Sequence, residues 1–459
     1  MADTTPAGRS GGARLRSRRI HPAAHVALWS LLAACSGGGH TTPRPTTSVP
    51  APGPPTTTTA ATGPAPSSTV SGASTAGAGG GDIVVEGIAT QKNHPDTDVG
   101  FAARINRFNR AGGLNGRLVR FLGVKDDGLD PAQNLSLLQS IVDTDGALVV
   151  APVATEALLG PSAAFLAKRQ VTAIGLGTSA AFCAEAAATT APAISSDGCL
   201  ANPSYAAAAD LAHIVTASGV PAAQVRLAVV GQDLDADKNV VTALTGLAKA
   251  QGVQVVYQSN AIASQGVTDY SPIVRALLAS APNVVDEVTD FGGSVALAAV
   301  LQATGYRGAV INRVAYAPAS VLGQADIAAT LSGVYVDAPY PVDENVTNPA
   351  VAQIRTDLTA ISKPPTVDLA IAIGYWSADL LIQLLQAAAA RGGPLTAAGV
   401  SAVAPGGWTY HGTPGGPPDL AFPAPGWVAP DGCSTLLQLS GTTYKEIAPY
   451  GCGPVTKIG

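Results

Sequence analysis

An α/β protein of two lobes, each a doubly wound parallel sheet, is what the chain predicts after about residue 82. Three observations predict it. Short apolar strand-like runs alternate with amphipathic helical runs. The series stops near residue 200 and restarts, so it describes two units and not one long sheet. The chain is 47% hydrophobic but only 12% charged, which suits strands covered by helices on both faces. A length of 459 residues also asks for more than one domain.

The elements follow in order. "DIVVEGIA" is a strand, and "VGFAARINRFNRA" carries Phe101, Ile105 and Phe108 at helical spacing. "RLVRFLGVKD" is a strand, and "PAQNLSLLQSIVDTD" is a helix with proline in its first turn. "ALVVAPV" and "VTAIGLG" are short buried strands separated by the helix "PSAAFLAKRQ". The second series begins with the helix "YAAAADLAHIVTAS" and the strand "VRLAVVGQ". It continues through helix "KNVVTALTGLAKAQG", strand "VQVVYQSN", helix "DYSPIVRALLASA" and strand "NVVDEVTD". A helix over about 293–304 and the strand "GAVINRVA" come next. "DLAIAIGYWSADLLIQLLQAAAARGG" is a long helix with a glycine stop, and a Gly/Pro-rich stretch leads to a final hairpin.

The first 81 residues stand apart from the fold. Arg9, Arg14, Arg16, Arg18 and Arg19 precede the apolar run "PAAHVALWSLLAA" and then Leu32-Ala33-Ala34-Cys35. That is the layout of an export signal, too short to span a bilayer. Its end resembles the bacterial lipobox, which implies lipidation of Cys35 and a signal peptide over 1–35. Ser17-Arg18-Arg19 leaves twin-arginine export open beside the general route. Residues 36–81 are a Pro/Thr/Ser/Gly linker with too little apolar surface to form a core, expected to act as a disordered tether.

Four cysteines remain: Cys183, Cys199, Cys433 and Cys452. An even number in an exported chain predicts disulfides, with three pairings open. The local pairing, 183–199 with 433–452, closes two short loops, and the second pair brackets the final hairpin. A zinc site lacks the C-x2-C spacing it needs.

Residues 109–117, "NRAGGLNGR", put three glycines between the first helix and the next strand. A left-handed helix C-cap at Gly112-Gly113 and a tight turn at Asn115-Gly116 account for them physically. The wider stretch says more. "N-x-A-G-G-L-N-G-R", then Asp126, Asp127, Asp130 and Pro131 after the second strand, resembles the type I periplasmic binding proteins, in the leucine/isoleucine/valine-binding branch. "VVAPVAT", "GVTDYSPIVRAL" and "NVVDEVTDFGGSVALAAVLQATGYRG" add matches in the family's order.

The resemblance implies two lobes joined by a three-stranded hinge, with a small polar solute such as an amino acid, amide or organic acid held in the cleft. Lobe 1 would be 82–200 plus 343–425, and lobe 2 would be 201–341 plus 426–459. It implies an ABC permease as partner, a monomer, a lipid anchor on the outer face of the bacterial cytoplasmic membrane, and no cofactor. Ligands of open α/β sheets sit beyond the carboxyl ends of the strands. The candidate contacts are therefore Gln91, Thr155, Gly177, Thr178 and Ser179 in lobe 1, and Asp233, Asp290, Phe291 and Tyr316 in lobe 2. In amino-acid-binding relatives the loops matching Thr155 and Thr178 offer hydroxyls and N–H groups to a carboxylate. Those relatives also place an acid after lobe 2's last strand. Here "INRVAYAP" has Arg313 and Tyr316 instead, which puts an α-amino acid in doubt.

Other chemistries are poorly supported. "GLGTSA" with Asp197 downstream mimics a dinucleotide fingerprint, but a cysteine loop follows it where the next helix should run. "DLDADKN" begins like a calcium loop, yet Lys238 and Leu244 replace the glycine and glutamate such a loop needs. No nucleophile, base and oxyanion set assembles, so an enzyme is not expected. Low charge excludes a nucleic-acid footprint. A ligand sensor or wall-tethered interaction module is the alternative; the absence of a membrane-spanning helix or cytoplasmic domain after the lobes favours import.

Overall fold

The computed structural model describes residues 81–183, 193–264, 266–313, 316 and 319–458. The chain divides into units Met1–Ala73 and Ser74–Gly459. The signal, Cys35 and the linker up to residue 80 lie outside the described residues.

A first sheet has the order β2-β1-β3-β4-β5, all parallel. Its strands are β1 (Ile83–Ala89), β2 (Val119–Asp126), β3 (Val149–Ala154), β4 (Ala173–Gly175) and β5 (Ala193–Ile194). Helices α1 (Thr97–Arg110), α2 (Pro131–Gln139) and α3 (Gly160–Arg169) connect the first four of them. Strand β6 (Tyr205–Ala207) and helix α4 (Ala208–Ser218) open the second body.

That body continues with β7 (Arg226–Gln232), α5 (Asp235–Ala250), β8 (Gln254–Ile262), α6 (Ser271–Ala279), β9 (Val284–Val288) and α7 (Phe291–Ala303). Strand β10 (Ala309–Asn312), α8 (Ala319–Leu322), α9 (Ala325–Leu331) and β11 (Tyr335–Ala338) follow. The chain then returns to the first body for α10 (Pro349–Ala360), α11 (Leu369–Ala390), α12 (Ala397–Ser401) and the two-stranded ribbon β12 (Trp408–Tyr410) with β13 (Leu420–Phe422). It ends with β14 (Cys433–Ser440), β15 (Thr443–Cys452) and β16 (Val455–Lys457). The second sheet runs β15-β14-β11-β10-β9-β7-β8. The hairpin adds β14 antiparallel to β11 and β15 antiparallel to β14, so the sheet's pairing is parallel except at this edge. Strand β16 pairs with β6, tying the chain end to the start of the second body.

Burial explains the elements. β3 is buried at every position and β1 at all but one, as strands covered on both faces must be. Helix α11 is the one described helix long and apolar enough to cross a membrane. Its most apolar window is 89% buried within the fold, so its apolarity on all sides is that of a core helix. It crosses α1 at van der Waals limit. A Cβ on Gly100 would lie 1.9 Å from the Ile371 carbonyl oxygen, and one on Gly374 would lie 1.9 Å from that of Thr97.

The glycine turn after α1 takes the conformations its residues permit. Gly112, Gly113, Asn115 and Gly116 all have positive φ. Asn109 closes the turn: its Nδ2 donates to the Val119 carbonyl at 2.8 Å, and its Oδ1 accepts from Val119 N–H at 2.9 Å. The acidic segment is equally structural. Asp127 accepts from the Thr90 hydroxyl, Leu129 N–H and Asn134, and Asp130 caps α2.

Three segments pass between the bodies and hold one another. Cys199 N–H donates to the Ala429 carbonyl, Asp431 N–H donates to the Asp197 carbonyl, and the Ser196 hydroxyl lies 3.0 Å from that of Tyr340. Disulfides join Cys183 to Cys199 and Cys433 to Cys452. Trp427 packs with Phe422 and donates Nε1–H to the Ala193 carbonyl at 2.6 Å, so the first body's packing extends beyond residue 425. The helix after β9 begins two residues earlier than its sequence suggests, because Asp290 caps it by accepting from Gly293 N–H.

Candidate functional site

The carboxyl ends of both sheets face the hinge, and a cavity of about 130 Å³ lies there. A cavity of similar size admits a molecule of about benzene dimensions. The first body contributes Glu156, just after β3, and Thr178, just after β4. The second contributes Tyr205, Asp210, Asp237, Arg313 and Asp337, with Val240, Ala243, Leu244 and Val288 as an apolar wall. The hinge contributes Leu200, Pro339 and Asp431. A smaller void of about 10 Å³ shares Glu156 and Asp237 as walls and adds Gln232, Thr289 and Asp290. That is room for about one water.

Two electrostatic arrangements coexist in the cavity. Arg313 is locked. Its Nε and Nη2 each donate to Asp286 at 2.9 Å, and its Nη1 lies 3.1 Å from Asp337 and 3.2 Å from Asp210. Burial works against the guanidinium charge, but these three carboxylates together hold its pKa well above the usual value. His213 extends the network, with Nδ1 2.9 Å from Asp337. Burial lowers its pKa, yet the Asp337 charge more than offsets this and raises it overall.

Glu156 and Asp237 form the other arrangement. Burial raises the Glu156 pKa, and the charges of Asp127 and Asp290 add to it while Lys92 opposes weakly. Burial, then Glu156 and Asp290, push Asp237 well above the usual carboxylate range. Three buried polar atoms around them have no partner among the described residues: Thr178 Oγ1, Gln232 Nε2 and Thr289 Oγ1. Buried polar groups are normally satisfied, so unsatisfied ones on residues that line a cavity mark where a ligand or water can complete the site.

A family profile described as "Periplasmic binding protein" matches residues 87–438. The chain belongs to that family. A search of the curated proteins finds no match. Among solved structures, this periplasmic binding protein resembles an ABC transporter solute-binding protein from R. palustris in complex with 4-hydroxybenzoate, at 14% identity and TM-score 0.61, over 81% of this chain and 98% of that one. A fatty acid ABC transporter substrate-binding protein from Thermomonospora curvata matches at 13% and 0.62, over 81% and 93%. A branched-chain amino acid transporter substrate-binding protein from Streptococcus pneumoniae, solved with isoleucine, matches at 13% and 0.59, over 80% and 100%. At these identities the likeness is one of fold.

The sequence-predicted contacts of this periplasmic binding protein scatter around the cavity. Thr178 lines it, and Asp290 lines the adjoining void while capping α7. Thr155 is fully buried one residue short of it; its hydroxyl accepts from Ala157 N–H and lies 3.0 Å from that of Thr90, so it serves the β3 loop. Gly177 is a crossing point, where a Cβ would lie 2.0 Å from the Gly198 carbonyl oxygen. Ser179 caps the short turn after it by accepting from Ala181 N–H.

Gln91 lies away from the cavity because its side chain reaches back to the Val124 carbonyl. Asp233 is exposed beside Lys238. Phe291 starts α7 and packs against the second body's core. Tyr316 lines a separate small void with His94 and Asp368, donates to Glu344 at 2.9 Å and stacks on Tyr444. The sequence reading missed Glu156, Asp210, Asp237 and Asp431. The one available signal was Glu156 following directly on the predicted Ala154-Thr155 loop.

Proposed function

We propose that this chain is an exported, lipid-anchored solute-binding protein that captures a small solute between its two bodies and delivers it to an ABC importer. One observation carries the reading: a single cavity is walled by Glu156 and Thr178 from one body, Asp237 and Arg313 from the other, and Asp431 from the hinge. A solute touching all three would favour the closed arrangement, and a population shifts only by such differential contact. The neighbours solved with 4-hydroxybenzoate and with isoleucine make a cleft ligand and a transporter partner the natural expectation. Lipidation rests on the sequence around Cys35. Exchanging Cys35 for serine should move the protein from the membrane fraction to the medium and abolish incorporation of labelled fatty acid.

The binding test uses residues 74–459, a compact unit of the chain, made in an oxidising compartment. Melting temperature is measured against amino acids, amides, aromatic acids, amines, short fatty acids and sugars. A ligand at 100 times its Kd adds roughly 2.7 kcal/mol of stability, which shows as a clear shift. No shift from any member, after unfolding and refolding to strip bound solute, would refute solute capture and favour a scaffold.

A further inference from the structure

The charges around the cavity do not balance, and the imbalance points to a ligand class. The inference rests on the solute-binding reading above. Arg313 has its charge already countered by Asp210, Asp286 and Asp337. It has no unspent charge to offer a carboxylate. His213, the other buried base nearby, is paired with Asp337. What remains on the cavity walls is Glu156, Asp237 and Asp431, with Asp290 beside the first two. None of these four has an ion-pair partner among the described residues. Lys92, whose charge reaches Glu156, is itself exposed to solvent.

Acidic residues crowded together do not make a site by themselves. Here Gln232 and Thr289 supply independent evidence. They are 3% and 1% exposed, each carries an unpartnered polar atom, and both line the void that Glu156, Asp237 and Asp290 also line. Thr178 lines the larger cavity from the opposite body and carries an unpartnered hydroxyl. An ammonium has three N–H donors and no acceptor. Two carboxyls and a hydroxyl complement it, and the free Gln232 amide N–H suits an oxygen on the same ligand. The wall of Leu200, Val240, Ala243, Leu244 and Val288 then takes an apolar body.

We propose that the solute is a small organic amine that carries no carboxylate, its ammonium held between Glu156 of one body and Asp237 of the other. A carboxylate placed there would meet carboxyl groups with no free cation to offset them. An amine closes the cleft because its one cation bridges a carboxyl group from each body. The cation also favours the ionised forms of Glu156 and Asp237, so binding expels protons. A carboxylate ligand would take protons up.

The test compares matched probes on residues 74–459: benzylamine with benzoate, and isoamylamine with 4-methylpentanoate and leucine. Melting shifts and calorimetry are recorded in two buffers of different ionisation enthalpy. The amines should raise the melting temperature and bind with proton release. The acids should do neither, and leucine should bind more weakly than isoamylamine. Glu156→Gln and Asp237→Asn should each weaken amine binding roughly tenfold or more. Their ligand-free melting temperatures at alkaline pH should be unchanged or higher, since a buried charge is removed, which separates lost binding from lost folding. Acids binding as tightly as their matched amines would overturn the proposal and leave solute capture standing. Amine binding unaltered in both variants would overturn it too. Silence across every probe would count against both readings.

Discussion

Asp197 and Glu287 show what burial does to single carboxyls in this fold. Both are fully buried. Burial raises Asp197 from 3.8 to about 7, although Ser195 and Gly177 N–H donate to it. It raises Glu287 from 4.5 to about 8 against hydrogen bonds from Ser294 and Asn312. Each binds its proton more tightly folded than unfolded. The stability they contribute is therefore full below the ordinary carboxylate range and lost as pH rises through about 7 to 8. Urea unfolding should show stability falling over that window, and Glu287→Gln should flatten the fall by on the order of 1 kcal/mol. A stability that rose steadily from neutral to alkaline pH would refute this. The same property of burial decided which site residues the sequence made legible. Thr178 was found because a hydroxyl just after a strand is a local pattern. Asp237 was missed because it sits in "DLDADKN" with Asp233 and Asp235, and nothing local says that it alone of the three is buried. That depends on the first body lying against α5, a contact distant in sequence.

At the scale of elements, the alternation of strands and helices was legible throughout, because the central strands β1, β3, β7 and β9 are buried on both faces and helices such as α1, α5 and α6 carry an apolar stripe. The antiparallel hairpin was legible from its turn, and Cys433 and Cys452 stand opposite one another in its register. What the pattern did not reveal was how closely α1 and α11 approach. Gly100 and Gly374 are in contact with facing backbone, a relation invisible in either helix alone. Alanine at either position forces the helices apart. We expect Gly100→Ala and Gly374→Ala each to cost about 1–3 kcal/mol in denaturant unfolding, with little effect on solute affinity. Replacing Cys433 and Cys452 together by alanine frees a loop of about 20 residues in the unfolded chain, and should cost about 3 kcal/mol. A melting curve unchanged by strong reductant would contradict that.

For the whole molecule, the two-body plan followed from the restart of the βα series, whereas the traffic between bodies came only from the family resemblance. The structure shows the traffic to be physically tight: three segments bonded to one another, with Asp197 buried and Asp431 partly buried among them. Asp431 both belongs to this hinge and lines the cavity. Asp431→Asn should therefore change solute affinity and the ligand-free conformation together. Small-angle scattering with and without ligand would detect a change in compactness; an effect on neither property would uncouple hinge from cleft.

The interleaved route of the chain also bears on how the protein is made. Trp427 completes the first body, and β16 completes the second, each far along the chain from that body's first strand. The first body has all its parts only once Trp427 has been made, and the second only once β16 has. Both bodies therefore stay incomplete through most of synthesis, and an unfolded chain is one that a narrow translocation channel can thread. For an exported chain, delayed maturation favours passage across the membrane first and folding, with closure of the 183–199 and 433–452 disulfides, on the far side.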